Sequence, residues 1–269
     1  MQGVRMNLFE KHFNRTYTMH EFPYFVPFEE LEYNLEYAKS MVDEAWIYHR
    51  WRSDIEHGSL KSSGHLKEEA TRIAQHGGLI LEICAGPGGG FMPAVLLQDY
   101  QAHIMISDLC PTVVREWQKL FMNMKNPPPN MAYAAFDVCD MPFEDNALDV
   151  ISGSGAIVNI EGGAGSRDKA LKEIHRVLKP GGLLVFDFSY VSEAHYDALP
   201  EAARHALKSR YPQLFWDALD IFDELGYAET ETLMFSEYNN ENDESTLADY
   251  CRSMGVSLTF NNFTNFCIK

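Results

Sequence analysis

Short apolar runs alternate with helix-forming segments along residues 66–269. Five such runs are L-I-L-E-I-C (79–84), H-I-M-I-S-D (103–108), A-Y-A-A-F-D (132–137), L-D-V-I-S-G-S-G (148–155) and L-L-V-F-D-F (183–188). Short, continuously apolar runs are typical of strands that are buried on both faces of a parallel sheet. Before Pro180-Gly181-Gly182, a stop-and-turn signal, apolar residues recur at helical spacing from Ala170 to Leu178. This alternation predicts an α/β protein.

The ends of the chain follow different patterns. After residue 190 we predict a helix over 215–226, a strand over 230–238, a short helix after the polar loop 239–245, and a final strand over 257–268. Residues 1–65 contain an amphipathic helix, with Leu31, Leu35, Ala38, Val42 and Ala45 on one face, preceded by an aromatic-rich segment. We therefore expect two units, an N-terminal helical and aromatic cap over 1–65 and an α/β domain over 66–269.

A glycine cluster, A-G-P-G-G-G-F at 85–91, directly follows the first run. Glycines between a strand and a helix let the backbone approach a ligand, and the helix N-terminus offers unpaired N–H groups. The dinucleotide pattern G-x-G-x-x-G fails because its third position is Phe91, and the Lys and Ser/Thr of a P-loop are missing. What remains is Glu82 followed by Gly86 and Gly88, and a carboxylate there suits a ligand with a cationic amino group.

Composition narrows the choice of partners. The formal net charge is −17 and the pI is about 4.9, which disfavours a nucleic-acid partner. The sequence has no apolar run of ~18 residues that could span a membrane, and its first residues lack the apolar centre of a signal peptide. Five scattered cysteines form no C-x-x-C pair, so neither a metal site nor a disulfide framework is indicated. We expect a reduced, cytoplasmic protein without a metal.

Two further motifs follow the glycine cluster in order. They are F-D-V-C-D-M-P-F-E-D-N-A-L-D-V-I at 136–151 and R-V-L-K-P-G-G-L-L-V at 176–185. With the glycine loop and Asp108, this set resembles class I S-adenosylmethionine-dependent methyltransferases, in particular the subgroup that includes quinone-biosynthesis enzymes. The resemblance implies a doubly wound, seven-stranded, mostly parallel sheet of the Rossmann-like type, closed by two final strands in antiparallel orientation. Cys84 is a departure, because many members carry glycine at that position.

The resemblance also implies how the cofactor, S-adenosylmethionine, is held. Asp108 would accept from the ribose hydroxyls, although the same residue could cap the following helix, and both roles can hold together. Asp137 would accept from the adenine amino group, and Glu82 would face the amino group of the methionine end. The predicted cofactor-binding residues are Glu82, Ala85, Gly86, Gly88, Asp108, Leu109, Asp137, Val138 and Ser152.

The methyl acceptor is harder to predict, because a bound sulfonium is already activated and needs little besides alignment. Candidates lie in the segment expected over the crevice mouth, where Tyr could orient an acceptor, His could remove a proton and Arg could bind a carboxylate. They are Arg15, Tyr17, His20 and Tyr24. Ser154, Gly155 and Asn159, just beyond the fourth run, are alternatives on the opposite wall.

The expected function is S-adenosylmethionine-dependent methyl transfer by in-line displacement to a small molecule or a peptide, at O, N or C, giving S-adenosylhomocysteine. One alternative is a carboxylate O-methyltransferase that acts on a peptide C-terminus or side chain in natural-product biosynthesis. An alternative of another class is a non-catalytic nucleotide-binding module, because fold alone does not settle function. A nicotinamide oxidoreductase is disfavoured by Phe91 and by the adenine motif.

Overall fold

The computed structural model describes residues 8–26, 55, 66–160, 164–191, 193–215, 219–239 and 246–269, and the predicted helix around Leu31–Ala45 lies outside them. Within these residues one sheet has the strand order β1-β2-β5-β4-β3-β6-β7-β9-β8. The strands are β1 (Thr18–Met19), β2 (Pro23–Tyr24), β3 (Leu79–Glu82), β4 (His103–Asp108), β5 (Met131–Ala135), β6 (Leu148–Gly153), β7 (Leu178–Val191), β8 (Glu229–Asn239) and β9 (Thr259–Ile268).

Strands β3 to β9 form the predicted seven-stranded, mostly parallel sheet. Strands β3 to β7 pair in parallel, and β9 pairs antiparallel with both β7 and β8. From β3 the chain first builds outward through β4 and β5, and then returns to add β6 and β7 on the other side. This reversal creates a crevice at the carboxyl ends of the strands, where open α/β sheets bind ligands. The predicted fold class is confirmed.

Helices cover both faces of the sheet. Alternate side chains of each strand point to opposite faces, so Ile80 packs with the helices of one layer and Leu81 with those of the other. The first layer contains α1 (Lys67–His76), α2 (Met92–Gln98) and α3 (Pro111–Met122), and the second contains α4 (Ala164–Val177) and α7 (Leu219–Leu225). Helices α5 (Glu193–Ala198), α6 (Glu201–Arg210) and α8 (Thr246–Ser253) lie outside these layers.

Two parts of the second half differ from the sequence-based expectation. The Pro180-Gly181-Gly182 turn lies inside β7, where the pairing register with β6 shifts between Leu148 and Val150. Gly181 adopts φ +77° there, which glycine tolerates, and its N–H donates to the Lys269 carbonyl at 2.7 Å. Helices α5 and α6 were not predicted; α6 packs with α8 in a separate apolar cluster that includes Leu207 and Leu258.

The described part of the N-terminal segment extends the sheet. Strand β1 pairs antiparallel with β2, and β2 lies parallel to β5, with Tyr24 opposite Ala135. The aromatic side chains of Phe9 and Phe22, in the same segment, are buried. The division into a cap over 1–65 and a domain over 66–269 stays a prediction. Within the described ranges, no helix has the length and apolarity needed to cross a membrane.

Candidate functional site

The carboxyl ends of β3, β4, β5 and β6 surround a cavity of about 760 Å³, which we call the main cavity. Its volume lies in the range of small-molecule and cofactor sites. The residues that line it are Leu66, Cys84, Ala85, Gly86, Gly88, Gly90, Asp108, Leu109, Cys110, Phe136, Asp137, Val138, Cys139, Ser154, Gly155, Ala156, Asn159, Ile160, Ser166 and Lys169.

The glycine loop, residues 85–91, is hydrogen-bonded to neighbouring elements and borders the main cavity. The Ala85 N–H donates to the Ser107 carbonyl at 3.0 Å, and Trp117 Nε1 donates to the Gly86 carbonyl at 2.8 Å. A Cβ built on Gly88 would meet nothing within 4 Å, so this glycine faces open space. Cys84 adopts φ +47°, a conformation that costs an L-residue roughly 1–2 kcal/mol.

Glu82 is fully buried behind this loop and is absent from the cavity lining. Its Oε1 accepts the Phe91 N–H at 3.2 Å, and its Oε2 accepts from Ser152 Oγ at 2.6 Å, so Ser152 is also behind the loop. Burial raises the pKa of Glu82 from 4.5 to about 8, despite these two hydrogen bonds. In this arrangement Glu82 and Ser152 support the loop, and their contact with the cofactor stays a prediction.

Asp108 ends β4 at the centre of the cavity wall. Its Oδ2 accepts the Gly86 N–H at 3.0 Å and its Oδ1 accepts the Cys110 N–H at 2.8 Å, next to the start of α3. A carboxylate has about four acceptor positions, so these bonds are compatible with further donors from a ligand. Burial raises the pKa of Asp108. The bond to Cys110 lies just before α3, whose N-cap is Cys110 and receives no side-chain capping bond, so the helix-capping role anticipated for Asp108 is not observed, while its side chain does line the cavity.

Residues after β5 form the next part of the wall. Asp137 accepts the Cys139 N–H at 2.8 Å and so closes a short 3-10 turn over Val138–Asp140. Asp137 and Val138 line the main cavity, and so does Leu109, whose side chain is partly exposed there. All three residues were predicted from the sequence as cofactor-binding residues, and the fold brings them to one wall.

The four acceptor candidates of the N-terminal segment lie elsewhere. Arg15 forms an ion pair with Asp140 at 2.7 Å, and Tyr17 packs its ring on Phe25. The hydroxyl of Tyr24 accepts from Arg115 at 2.8 Å, and His20 lies against the Tyr24 ring.

None of these candidates lines the main cavity as the described residues form it. Their proposed role in acceptor handling gains no support from this placement and stays a prediction.

A second cavity of about 300 Å³, which we call the side chamber, adjoins the main cavity beyond β6. Its lining is Ser154, Gly155, Val158, Asn159, Asp187, Phe188, Ser189 and Leu214. Ser154, Gly155 and Asn159 line both cavities, so the alternative acceptor residues from the sequence lie at the junction.

Sequence reasoning missed several lining residues. Asp187 had a signal, since it is an acidic residue near the end of a buried run, as Glu82 and Asp108 are. Lys169 and Ser166 had no such signal in the sequence. They lie on α4, and polar residues on a helix do not indicate which part of the fold that helix covers. Among the described residues, no group of three His, Cys, Asp or Glu side chains could hold a metal ion.

Comparison with known proteins agrees with the motifs. A family profile described as a methyltransferase domain matches residues 83–186. The chain is 28% identical over 118 residues to the ubiquinone/menaquinone biosynthesis C-methyltransferase UbiE of Hydrogenovibrio crunogenus, covering 44% of each chain. The protein of the same name from Idiomarina loihiensis is 41% identical over 61 residues, or 22% of this chain and 23% of that one. The match thus spans less than half the length of these curated relatives.

Solved structures share the fold. An arsenic(III) S-adenosylmethionine methyltransferase from Chlamydomonas reinhardtii superposes with a TM-score of 0.56 at 18% identity, covering 81% of this chain and 73% of that chain. The YcgJ protein of Bacillus subtilis gives a TM-score of 0.52 at 18% identity, covering 76% and 98%. At such identities the likeness extends to the architecture alone.

Proposed function

Because this chain carries a methyltransferase domain of the class I S-adenosylmethionine-dependent type, we propose that it transfers a methyl group from S-adenosylmethionine to a small-molecule or peptide acceptor. One observation carries the proposal. The predicted cofactor residues, apart from Glu82 and Ser152, converge from three strand ends on one cavity of about 760 Å³. The parallel sheet brings these residues to one edge, and the cofactor-sized cavity that they line there supports a shared ligand.

The chemistry of the main cavity fits this cofactor. Asp108 offers a carboxylate to a pair of hydroxyls, and carboxylate acceptors form stronger hydrogen bonds than neutral ones. Leu109 and Val138 offer apolar surface on which a flat base can lie. Gly88 leaves room for a tail, because even a methyl group there would meet nothing within 4 Å.

The bound cofactor supplies a methyl group on a positively charged sulfur, and the chain must align an acceptor with it and exclude water. The loop that carries Gly86 and Gly88 is fixed by hydrogen bonds to Asp108, Glu82 and Trp117, so the chain's own residues set its shape. The Ser154–Gly155 segment, where the two cavities join, is where an acceptor would have to approach.

Calorimetric titration with S-adenosylmethionine and S-adenosylhomocysteine tests the proposal directly. A second readout is protection of the folded chain against thermal unfolding by each ligand, followed by circular dichroism, because a ligand that binds the folded state stabilises it.

Absence of both binding and protection would refute the proposal. Transfer itself is tested by incubating the loaded protein with a pool of metabolites and peptides. A mass gain of one methyl group in one component is the expected result. Binding without any methylated product would favour the non-catalytic nucleotide-binding module.

A further inference from the structure

The side chamber is built around one carboxylate. Asp187, near the end of β7, accepts a hydrogen bond from Ser154 Oγ at 2.5 Å and another from the Gly155 N–H. Both partners lie on the wall that the chamber shares with the main cavity. Asp187 therefore fixes the junction between the cavities, and it also lines the chamber.

The remaining lining contains both polar and apolar residues. Ser189 lies beside Asp187 on β7 and donates to Asn262 at 2.6 Å, and Asn159 donates to the Gly155 carbonyl at 2.6 Å. Val158, Phe188 and Leu214 supply the apolar part. A volume of about 300 Å³ is at the low end for ligand pockets, which suits a small acceptor or one side chain of a larger one.

The charge in the lining of the chamber is negative. Among the described residues that line it, Asp187 alone carries a charge. Glu82 is buried close enough for the field of Asp187 to contribute to its raised pKa. Arg167 donates Nε to the Val158 carbonyl at 3.0 Å but does not line the chamber. An anionic ligand would have to lose its hydration next to a carboxylate, without a cation in the lining to compensate.

We infer, on the basis of the proposed methyl transfer, that the side chamber is the acceptor pocket and that it recognises a small amine through the carboxylate of Asp187. A protonated amine pairs with a carboxylate through charge-assisted hydrogen bonds, about twice as strong as neutral ones. The net charge of −17 on the chain favours a cationic partner over a longer range. A carboxylate acceptor, such as a peptide C-terminus, is disfavoured by the same charges.

Three probes of similar shape test the recognition: 2-phenylethylamine, 2-phenylethanol and 3-phenylpropionate. Each is titrated into the full chain saturated with S-adenosylhomocysteine, and binding is followed by saturation-transfer NMR. The amine should bind about tenfold more tightly than the alcohol, and the carboxylate more weakly than either. Asp187→Asn should reduce amine affinity to that of the alcohol and change alcohol affinity less than twofold.

Asp223→Asn is the matched control, because it removes the same charge from an exposed position on α7. It should leave the order of the three probes unchanged. If Asp187→Asn fails to fold, Leu214→Trp replaces it, since this change fills the chamber with a larger side chain from its apolar lining. Leu214→Trp should weaken binding of the amine and binding of the alcohol to the same extent.

Several results would overturn the inference. These are tighter binding of the carboxylate than of the amine, an equal loss of affinity for all three probes in Asp187→Asn, or no binding of any probe. Binding of S-adenosylhomocysteine, measured on the same samples, separates the two proposals. If it is normal while the amine preference is absent, the acceptor inference fails and the methyltransferase proposal stands. If S-adenosylhomocysteine does not bind, the proposed function fails first.

Discussion

Replacing Gly90 by alanine should destabilise the fold by an amount that can be worked out from its surroundings. A Cβ built there would lie 1.7 Å from Glu82 Oε1 and 2.6 Å from its Cδ, so the buried side chain would have to move. Gly90 also has φ +56°, which costs an L-residue ~1–2 kcal/mol. Displaced Glu82 would lose the Phe91 N–H or Ser152, and a buried group left unsatisfied costs ~1–3 kcal/mol.

The total expected loss is therefore ~2–5 kcal/mol, a large part of the ~5–15 kcal/mol that stabilises a typical domain. Urea unfolding followed by circular dichroism measures it, and Gly88→Ala is the matched control. Position 88 has no strained φ and open space around it, so alanine there should change stability between zero and a gain of ~1 kcal/mol. If the two variants unfold at the same urea concentration, Glu82 does not pack against Gly90 and our account of the loop is wrong.

Three further predictions concern the site. Asp108→Ala should weaken binding of S-adenosylhomocysteine by ~1–3 kcal/mol in calorimetry, because a buried acceptor is lost, and unchanged affinity would contradict its assignment. Burial raises the pKa of Glu82 from 4.5 to about 8, so the folded state holds a proton that the unfolded state releases. Its stabilising contribution is full below pH 4.5 and is lost as the pH rises through about 8. The urea midpoint of Glu82→Gln should therefore change less between pH 5 and 8 than that of the unaltered chain. Equal pH dependence of the two midpoints would argue against a buried proton. Arg15→Ala should lower stability by at most ~1 kcal/mol, since its ion pair with Asp140 is exposed. A tenfold or greater fall in methyl transfer by that variant would instead support Arg15 as an acceptor residue.

The central part of the fold follows from local sequence signals. The five buried runs became β3 to β7, and the motifs at their ends meet because parallel strands present their carboxyl ends at one edge. Strands β1 and β2 could not be predicted, since two-residue strands show no periodicity and are determined by pairing with β5.

The candidate site was predictable to a similar degree. The ordered motifs identified Asp108 and Asp137 as neighbours of one ligand, and both line the main cavity. They did not reveal that Glu82 turns away from it, because that direction depends on a bond to the Phe91 N–H, formed when the loop closes. Asp187 also lies near the end of a buried run, but its hydrogen bond with Ser154 forms only where β6 and β7 pair, so its part in the site was overlooked.

The pairing of the N-terminal strands with the far edge of the sheet has a consequence for biosynthesis. Arg15 and Asp140 are 125 positions apart, and β2 needs β5 before it can pair. At a translation rate of 5–20 residues per second, the segment waits roughly 6–25 s for its partner. During that interval Phe9 and Phe22, buried in the finished protein, have no completed sheet to cover them. We therefore expect the nascent chain to be recognised by chaperones that bind exposed aromatic segments, until β5 has been made and β1 and β2 can join the sheet.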